Sequence, residues 1–411
     1  MRITTPAPDA RADLATLDLF DEQLYVRGDV HLAWRTLRAE QPVFFSPPGF
    51  WVATRHADVR QVLSDNEAFT SQRGTVLLML GVDDAAGGKM LTVTDPPVHQ
   101  QIREHMAGPL TPHAAVAQTD EMRTLVRDLV APAWDGGEWD VARAFARLPV
   151  AAVLNMMGLP LDDVDPLLRW TYASIAPNDP NFAVGSKEET LRRAHFEIMD
   201  YFAYQIRERR RRPRPDFIGH LLSATLDGRP MADDEIIFNC YNLLVGAVIT
   251  TPQAVIAPMI TLAEQGGGEG RLPRTQFVAT AVEEALRWSS PSVQFLRYAK
   301  HDVLVGDTLV REGEPISACI ASANRDDAVF ERPFELDFNR TPNRHLAFGI
   351  GTHRCAGHAV GRLMLRMAFE EFLLKLDSFE LTAEPVHLVS NGAAAVVSAP
   401  IRVRARVAVP S

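Results

Sequence analysis

The chain has 411 residues, of which 46% are hydrophobic and 23% charged, and its 42 basic and 52 acidic residues give a formal net charge of −10. This composition is typical of a soluble globular protein with an extensive core, and the acidic balance argues against nucleic acid as a partner. We also expect no membrane span, since no apolar run approaches roughly 18 residues, and no signal peptide, since the N-terminus lacks an apolar core segment.

Most of the first 290 residues carry the three- and four-residue apolar spacing of amphipathic helices. The clearest examples are DVHLAWRTLRAE (29–40), DPPVHQQIREHMAG (95–108), AQTDEMRTLVRDLVAPAW (117–134) and KEETLRRAHFEIMDYFAYQIRERR (187–210). Strand-like segments are few, namely PVFFS (42–46), FWVAT (50–54), VLVGDTLVREGEPISACIAS (303–322) and AAAVVSAPIRVRARVAV (393–409). We therefore predict a mainly α protein with a small β part. No low-complexity linker divides it, so we expect one domain over residues 1–411, and a monomer.

Two irregular stretches interrupt the predicted helices. Residues 73–90 (RGTVLLMLGVDDAAGGKM) mix large aliphatic residues with glycines, and residues 174–186 (SIAPNDPNFAVGS) are rich in turn formers. Long loops inside a compact domain are often binding elements or lids, whereas the alternative is a mobile surface loop.

Residues 233–265 (DDEIIFNCYNLLVGAVITTPQAVIAPMITLAEQ) are apolar nearly all round, so we predict a buried helix through the middle of the protein. Pro252 cannot donate to the carbonyl of Val248, four residues earlier. We therefore expect a kink there, with that carbonyl free for water or Thr251. Pro258 repeats the effect at Ala254.

Three cysteines are too few for a disulfide framework, which fits a reducing compartment, and we expect the cytoplasm. For Cys240 and Cys319 the prediction is core filling, the usual role of a free cysteine. Cys355 has four possible roles: core filler, zinc ligand, nucleophile or haem ligand. Zinc is disfavoured because only His353 and His358 lie nearby and no CxxC pair exists. A nucleophile would need a base and an orienting acid, and the sequence leaves this open.

The glycines around Cys355 favour a bulky flat ligand. Gly349, Gly351 and Gly357 allow backbone conformations and close approaches that other residues forbid. Backbone N–H groups of the loop and of the following helix N-terminus could also stabilise a thiolate. The segment FGIGTHRCAG (348–357) resembles the haem-binding signature of the cytochrome P450 family of haem-thiolate monooxygenases. The resemblance implies the cytochrome P450 fold, with a long buried central helix over haem b. It makes Cys355 the axial thiolate on iron and places Phe348, Gly349 and Gly357 in the cofactor loop.

Other motifs resemble the family in the same order along the chain. EALR contains Glu284 and Arg287, which share a helix face. Followed by NRD (324–326) and Arg340, they resemble a buried structural Glu–Arg–Arg cluster that holds the cysteine loop, although such a pair alone is usually a surface pair.

The resemblance also implies a set of residues for the haem propionates. His99 and Arg103 lie four residues apart on one helix face, and Arg297 and His353 complete the set. Such side chains suit carboxylates. The alternative is that they are solvated charges.

LLVGAVITT (243–251) is similar to the oxygen side of the family's central helix. Gly246 and Ala247 match the small residues that leave room for oxygen, and Thr250, followed by Thr251, matches the threonine that hydrogen-bonds dioxygen. The preceding position usually holds an acid but is Ile249 here. This departure puts the usual proton relay in doubt.

By the same resemblance, candidate walls of the substrate pocket are Leu78, Met79, Leu80, Val245, Val248, Val293, Gln294, Phe295 and Ala394. These residues favour a predominantly apolar or aromatic molecule with a few polar anchors, such as a natural-product intermediate. Core packing explains the two helix valines, Val245 and Val248, equally well.

No nucleotide-binding fingerprint is visible, so we expect electrons from NAD(P)H through a separate ferredoxin and ferredoxin reductase. An acidic ferredoxin could dock on the cysteine side at Arg103, Arg344, Arg354 and Arg362. The expected activity is oxidation of a small molecule with O₂. The alternatives are a haem-thiolate enzyme for oxidative coupling, ring closure or peroxide-driven chemistry and, more remotely, a non-enzymatic haem sensor or carrier.

Overall fold

Helices make up about half of the structure and short strands a minor part, which confirms the predicted mainly α fold. The computed structural model describes residues 1–28, 30–270 and 278–406. Its α-helices are α1 (Glu22–Arg27), α2 (Val30–Glu40), α3 (His56–Ser64), α4 (Val98–Ala107), α5 (Pro112–Ala117), α6 (Thr119–Val130), α7 (Val141–Met156), α8 (Val164–Ile175), α9 (Lys187–Arg211), α10 (Phe217–Ser223), α11 (Asp233–Val248), α12 (Thr250–Gln265), α13 (Val278–Ser289), α14 (Ile320–Ala323) and α15 (His358–Glu371).

Its strands are β1 (Val43–Ser46), β2 (Phe50–Ala53), β3 (Phe69–Thr70), β4 (Trp139–Asp140), β5 (Thr225–Leu226), β6 (Arg229–Pro230), β7 (Glu269–Gly270), β8 (Gln294–Ala299), β9 (Val303–Val305), β10 (Thr308–Val310), β11 (Pro315–Cys319), β12 (Leu376–Leu381), β13 (Val386–His387), β14 (Val396–Ser398) and β15 (Pro400–Ala405).

The four helical segments singled out in the sequence form α2, α4, α6 and α9. Residues at both ends of helix α9 stabilise it. The side chain of Ser186 accepts a hydrogen bond from the Glu189 N–H at its start, and three arginines (209–211) occupy its last turn. A cap at the N-terminus and cations at the C-terminus both stabilise a helix.

The largest sheet has five strands in the order β1-β2-β11-β8-β3, and a second sheet has four in the order β4-β15-β12-β7. Strand β8 pairs antiparallel with β11, which sets Arg297 opposite Ile316. The predicted strands near both ends of the chain are present, although the end of the last predicted segment, residues 407–409, lies outside the described residues.

The central helix is interrupted at Ile249, between α11 and α12. This agrees with the break expected from Pro252, whose ring nitrogen has no hydrogen for the Val248 carbonyl. Helix α12 then runs through Pro258 without a second break. Helix α11 packs in one core cluster with α8 and α9, and α12 packs in another with α7, α13 and α15.

We expected no stretch long and apolar enough for a membrane span, and this expectation is wrong, because one helix meets both criteria. Asp233–Gln265 has the length and the mean hydropathy of a span, 1.8, but 67% of the apolar window is buried inside the protein. Packing against other helices therefore accounts for its apolar character. Cys240 and Cys319 are fully buried, as predicted for core residues.

Candidate cofactor and substrate site

A cavity of about 790 Å³ gathers most of the residues predicted to act together. Its wall includes Cys355 and the predicted propionate set, His99, Arg103, Arg297 and His353. It also includes Gly246, Ala247, Ile249, Thr250 and Thr251 from the junction of α11 and α12. Residues distant in sequence thus meet at one space, with the cysteine loop, the central helix, α4 and β8 as its walls.

The cysteine loop is held by its own backbone. The Cys355 N–H donates to the Phe348 carbonyl at 2.8 Å. Gly349 and Gly351 adopt left-handed φ angles of 64° and 74°, and a Cβ on Gly351 would lie 2.8 Å from the Cα of Ser64. Only glycine fits that turn without strain. Phe348, Gly349 and Gly357 all line the cavity.

Burial and nearby positive groups act in opposite directions on the pKa of the Cys355 thiol. Burial raises the pKa of the thiol, whereas the Gly357 N–H and the positive charges of Arg103 and Arg362 act in the opposite direction. Helix α15 begins at His358, directly after the loop, so its N-terminus follows the backbone of Cys355 by three residues. Among the described residues no three His, Cys, Asp or Glu side chains converge on a possible metal ion, so zinc has no ligand set there.

The two histidine rings of the propionate set are adjacent and tilted by 58° to each other. Their ring centroids are 4.4 Å apart. His99 is buried, and neither of its ring nitrogens has a hydrogen-bond partner in the described part of the chain. Burial lowers the pKa of His99 to about 4. The His353 Nε2 lies 3.2 Å from the Ser71 hydroxyl oxygen. A buried imidazole without partners is costly unless a ligand supplies them.

The two arginines of the set have similarly incomplete partners. Arg297 is 5% exposed and donates to the Leu296 carbonyl at 2.8 Å, but no carboxylate pairs with it in residues 1–28, 30–270 and 278–406. Burial lowers its pKa to about 10. Arg103 reaches the Thr352 carbonyl at 3.4 Å. A buried cation without a counter-charge favours an anionic ligand. The set therefore fits the two propionates of haem, and Cys355 fits its iron.

Residues 246–251 of the central helix carry no charged side chain, and two of those on the cavity wall, Gly246 and Ala247, are small. The Thr250 hydroxyl donates to the Gly246 carbonyl at 3.2 Å. No atom outside the helix lies within 4 Å of a Cβ built on Gly246, so this position leaves open space. Ile249 is 8% exposed and lines the cavity next to Thr250. Its side chain can neither hold nor pass a proton.

The predicted Glu–Arg–Arg cluster is present and buried. Arg287 donates two hydrogen bonds of 2.7 Å to the Glu284 carboxylate, and both side chains are 0% exposed. The Arg340 Nε lies 3.1 Å from the same carboxylate. Arg287 also donates to the Asn324 carbonyl at 2.9 Å, and the Asn324 side chain accepts from the Leu346 N–H at 2.7 Å. The cluster is thus linked directly to the segment that leads into the cysteine loop.

The structure separates the predicted pocket residues into two groups. Those on the cavity wall are Leu78, Met79, Val245, Gln294 and Phe295. Those that face the core instead, which corrects the prediction, are Leu80, Val248, Val293 and Ala394. Neighbouring residues of a strand or helix point in different directions. Ala393 accordingly lines the cavity where Ala394 does not.

Sequence reasoning missed several polar residues of the cavity wall, among them Asp84, Ser174, His195 and Tyr241. Asp84 and Ser174 belong to the two irregular stretches that the sequence offered as binding elements or surface loops, although Ser174 lies in the last turn of α8. Nothing in the sequence singled out the individual residues. Tyr241 did carry a signal, since it lies four residues before Val245 and eight before Ile249, on the same face of the central helix.

Comparisons with known proteins show which family the chain resembles. A sequence model described as Cytochrome P450 matches residues 270–402. The chain is 32% identical over 400 residues to Cytochrome P450 NovI of Streptomyces niveus, which covers 95% of this chain and 97% of that protein.

Two solved structures extend the likeness to the fold. The crystal structure of P450 OxyD, involved in the biosynthesis of vancomycin-type antibiotics, superposes with a TM-score of 0.81 at 30% identity, over 95% of this chain and 100% of that one. Mycobacterium marinum cytochrome P450 CYP268A2 in complex with pseudoionone gives a TM-score of 0.85 at 28% identity, over 96% and 100% of the two chains.

Proposed function

Since the chain belongs to the cytochrome P450 family, we propose that it is a monooxygenase that holds haem b through Cys355 and oxidises a predominantly apolar or aromatic small molecule. One observation carries the proposal. A single cavity is lined by Cys355, by the buried His99, whose ring nitrogens lack hydrogen-bond partners, and by the buried Arg297, which has no ion-pair partner among the described residues. Thiolate for iron and cations for propionates are what haem requires.

Haem bound there would supply the redox chemistry, by which O₂, two electrons and two protons place one oxygen atom in the substrate and release the other as water. The chain supplies the surroundings. The loop from Phe348 to Gly357 holds the ligand sulfur, and His99, Arg103, Arg297 and His353 orient the cofactor through its carboxylates. The Thr250 hydroxyl, which donates to the Gly246 carbonyl, carries a proton on the oxygen side of the cavity.

The substrate class follows from the rest of the wall. Leu78, Met79, Val245 and Phe295 present apolar side chains to the cavity. Apolar walls with a few polar groups select molecules of the same character. The involvement of OxyD in the biosynthesis of vancomycin-type antibiotics supports a tailoring step in natural-product biosynthesis.

We assign electron delivery to a separate ferredoxin and its NAD(P)H-dependent reductase. Of the four arginines expected at the docking face, Arg344 and Arg354 are exposed. Arg362 instead pairs with Glu283 at 2.6 Å. Arg103 and Arg354 both line the cavity, but Arg103 is half-buried. An acidic ferredoxin would therefore meet Arg344 and Arg354 first. We further propose that the protein is a cytoplasmic monomer with a single domain.

The isoleucine at position 249 supports a second candidate reaction, oxidative coupling or ring closure. Cleaving O₂ requires two protons, and the side chain before Thr250 cannot deliver one. The Val248 carbonyl, freed by Pro252, or a polar group of the substrate must then help to position the proton donor. Substrate-assisted protonation would suit oxidative coupling or ring closure as well as hydroxylation.

The test begins with the reduced protein and carbon monoxide. Thiolate-ligated haem should give the strongly red-shifted Soret band, which Cys355→His should lose and Cys319→Ala, a change in the core away from the cavity, should keep. An unshifted band in folded native protein would refute the proposal. Product analysis with ferredoxin, reductase and NAD(P)H then separates hydroxylation from coupling. Absence of product and of NAD(P)H consumption with every candidate substrate would favour a haem sensor.

A further inference from the structure

A group of polar side chains lines the cavity away from the cysteine loop. We call Asp84, Ser174, His195 and Tyr241 the distal polar cluster. Its members come from the loop of residues 73–90, from α8, from α9 and from α11. Tyr241 precedes Gly246 by five residues, which is about 7.5 Å along the helix axis. The cluster is therefore set apart from the wall where oxidation would occur.

The hydrogen bonds inside the cluster are weak. The Tyr241 hydroxyl lies 3.4 Å from the Ser174 hydroxyl oxygen and 3.4 Å from the His195 Nε2. Both distances exceed the usual 2.7–3.0 Å by about 0.5 Å. Ser174 already donates its own proton to the Thr171 carbonyl at 2.8 Å. The tyrosine oxygen and the imidazole therefore retain capacity to accept hydrogen bonds from a ligand.

The cluster carries one negative charge. Asp84 accepts a hydrogen bond from the Ala86 N–H at 2.9 Å, and no cation forms an ion pair with it within the described ranges. Its neighbour Asp83 differs, because it pairs with Arg73 at 3.0 Å. Lys187, also on the cavity wall, lies over the Phe20 ring, 6.0 Å from its centroid.

The other two titratable members are neutral near pH 7. Burial lowers the pKa of His195, and the Asp84 charge acts in the opposite direction. Burial, and to a smaller extent Asp84, raises the pKa of Tyr241. The Asp84 carboxylate lines the same cavity as both rings, and no cation of the cluster neutralises it.

We infer that the substrate carries a protonated amine, which binds at Asp84, His195 and Tyr241 while its apolar body extends toward Gly246 and Cys355. This inference rests on the proposed function and names its substrate class. An ammonium group matches the carboxylate charge, the accepting oxygen and nitrogen, and the electron-rich face of the tyrosine ring. A substrate with a carboxylate or phosphate at that end would be repelled by Asp84.

The test compares two ligands of equal shape on the haem-loaded protein. The probes are 4-phenylbutyl-trimethylammonium and the neutral compound in which carbon replaces nitrogen. The quaternary nitrogen has no lone pair, so it cannot bind iron and only its charge is tested. By calorimetry, the native protein should bind the cation at least about tenfold more tightly. Asp84→Asn should abolish most of this preference. Asp83→Asn, which removes a carboxylate that is exposed and already paired, should leave it intact.

Two results would overturn the inference. One is equal affinity of native protein for the cation and its neutral counterpart. The other is an equal loss in Asp83→Asn and Asp84→Asn, which would assign the preference to the overall negative charge of the protein. The carbon monoxide spectrum of each variant shows whether fold and thiolate ligation are intact. A red-shifted band without cation preference refutes the amine site alone, whereas an unshifted band refutes the proposed function.

Discussion

Removing the charge of Glu284 should destabilise the protein strongly, because the carboxylate is the hub of a buried network. It accepts two bonds from Arg287, one from the Arg340 Nε at 3.1 Å, one from Asn343 at 3.0 Å and one from the Asp337 N–H at 2.9 Å. Glu284→Gln keeps the volume but leaves the Arg287 guanidinium, which is 0% exposed, without its counter-charge. Breaking such a pair costs about 3–5 kcal/mol.

The assay is the urea midpoint of unfolding, measured together with the haem content of the purified protein. Haem content should fall as well, because the cluster reaches the cysteine loop through Asn324. A matched control is Glu335→Gln. Glu335 also forms an ion pair with an arginine three residues away, Arg332, at 2.8 Å, but both side chains are about 60% exposed. Losing this pair should therefore lower the free energy of unfolding by at most about 1 kcal/mol. Equal midpoints for the two variants would refute the reasoning.

Three other substitutions test separate parts of the site and fold. Arg297→Gln should speed haem loss to apomyoglobin, because one buried cation facing the propionates is removed; an unchanged rate would exclude that role. With apolar ligands Ile249→Asp should raise the product formed per NAD(P)H, since general acid help is worth roughly 10²–10⁴-fold; equal native coupling with and without polar ligand groups would refute substrate assistance. Burial, with help from the Arg325 and Arg38 charges, lowers the pKa of His31 well below 6.5, so this ring stabilises the fold above about pH 6.5 and that stability is lost as the pH falls. His31→Phe should therefore flatten the fall in urea midpoint between about pH 6.5 and 5, and an unchanged slope would contradict it.

The sequence predicted best those features that depend on local spacing. Glu284 and Arg287 lie three residues apart on one helix turn, so their side chains meet wherever that helix packs. The glycines around Cys355 likewise encode a backbone shape within ten residues. The break in the central helix followed from the missing N–H of Pro252. None of these predictions required knowledge of distant contacts.

The features that were missed depend on tertiary contacts. Strand β8 (QFLRYA) is buried on both faces, so it lacks the alternation by which an exposed strand is recognised. Val248 and Ala394 were placed on the wrong side because one step along a helix or strand changes the direction of the side chain. The distal polar cluster combines four separate elements, and only folding brings Asp84 and Tyr241 to one wall.

Buried charge distinguishes the structural parts of this molecule from those that receive ligands. Arg287 is enclosed by a carboxylate and backbone carbonyls, so its charge is balanced within the chain. Arg297 and Asp84 have no ion-pair partner within the described ranges, and both line the cavity. Arg325 shows that a missing partner alone is not enough. Two of its nitrogens lack hydrogen bonds, but it lies outside the cavity, 5.0 Å from the Trp288 ring centroid, and donates to the Trp288 carbonyl. An unbalanced charge indicates a ligand only where a ligand can reach it, and by this criterion the cavity should take an anion at Arg297 and a cation at Asp84.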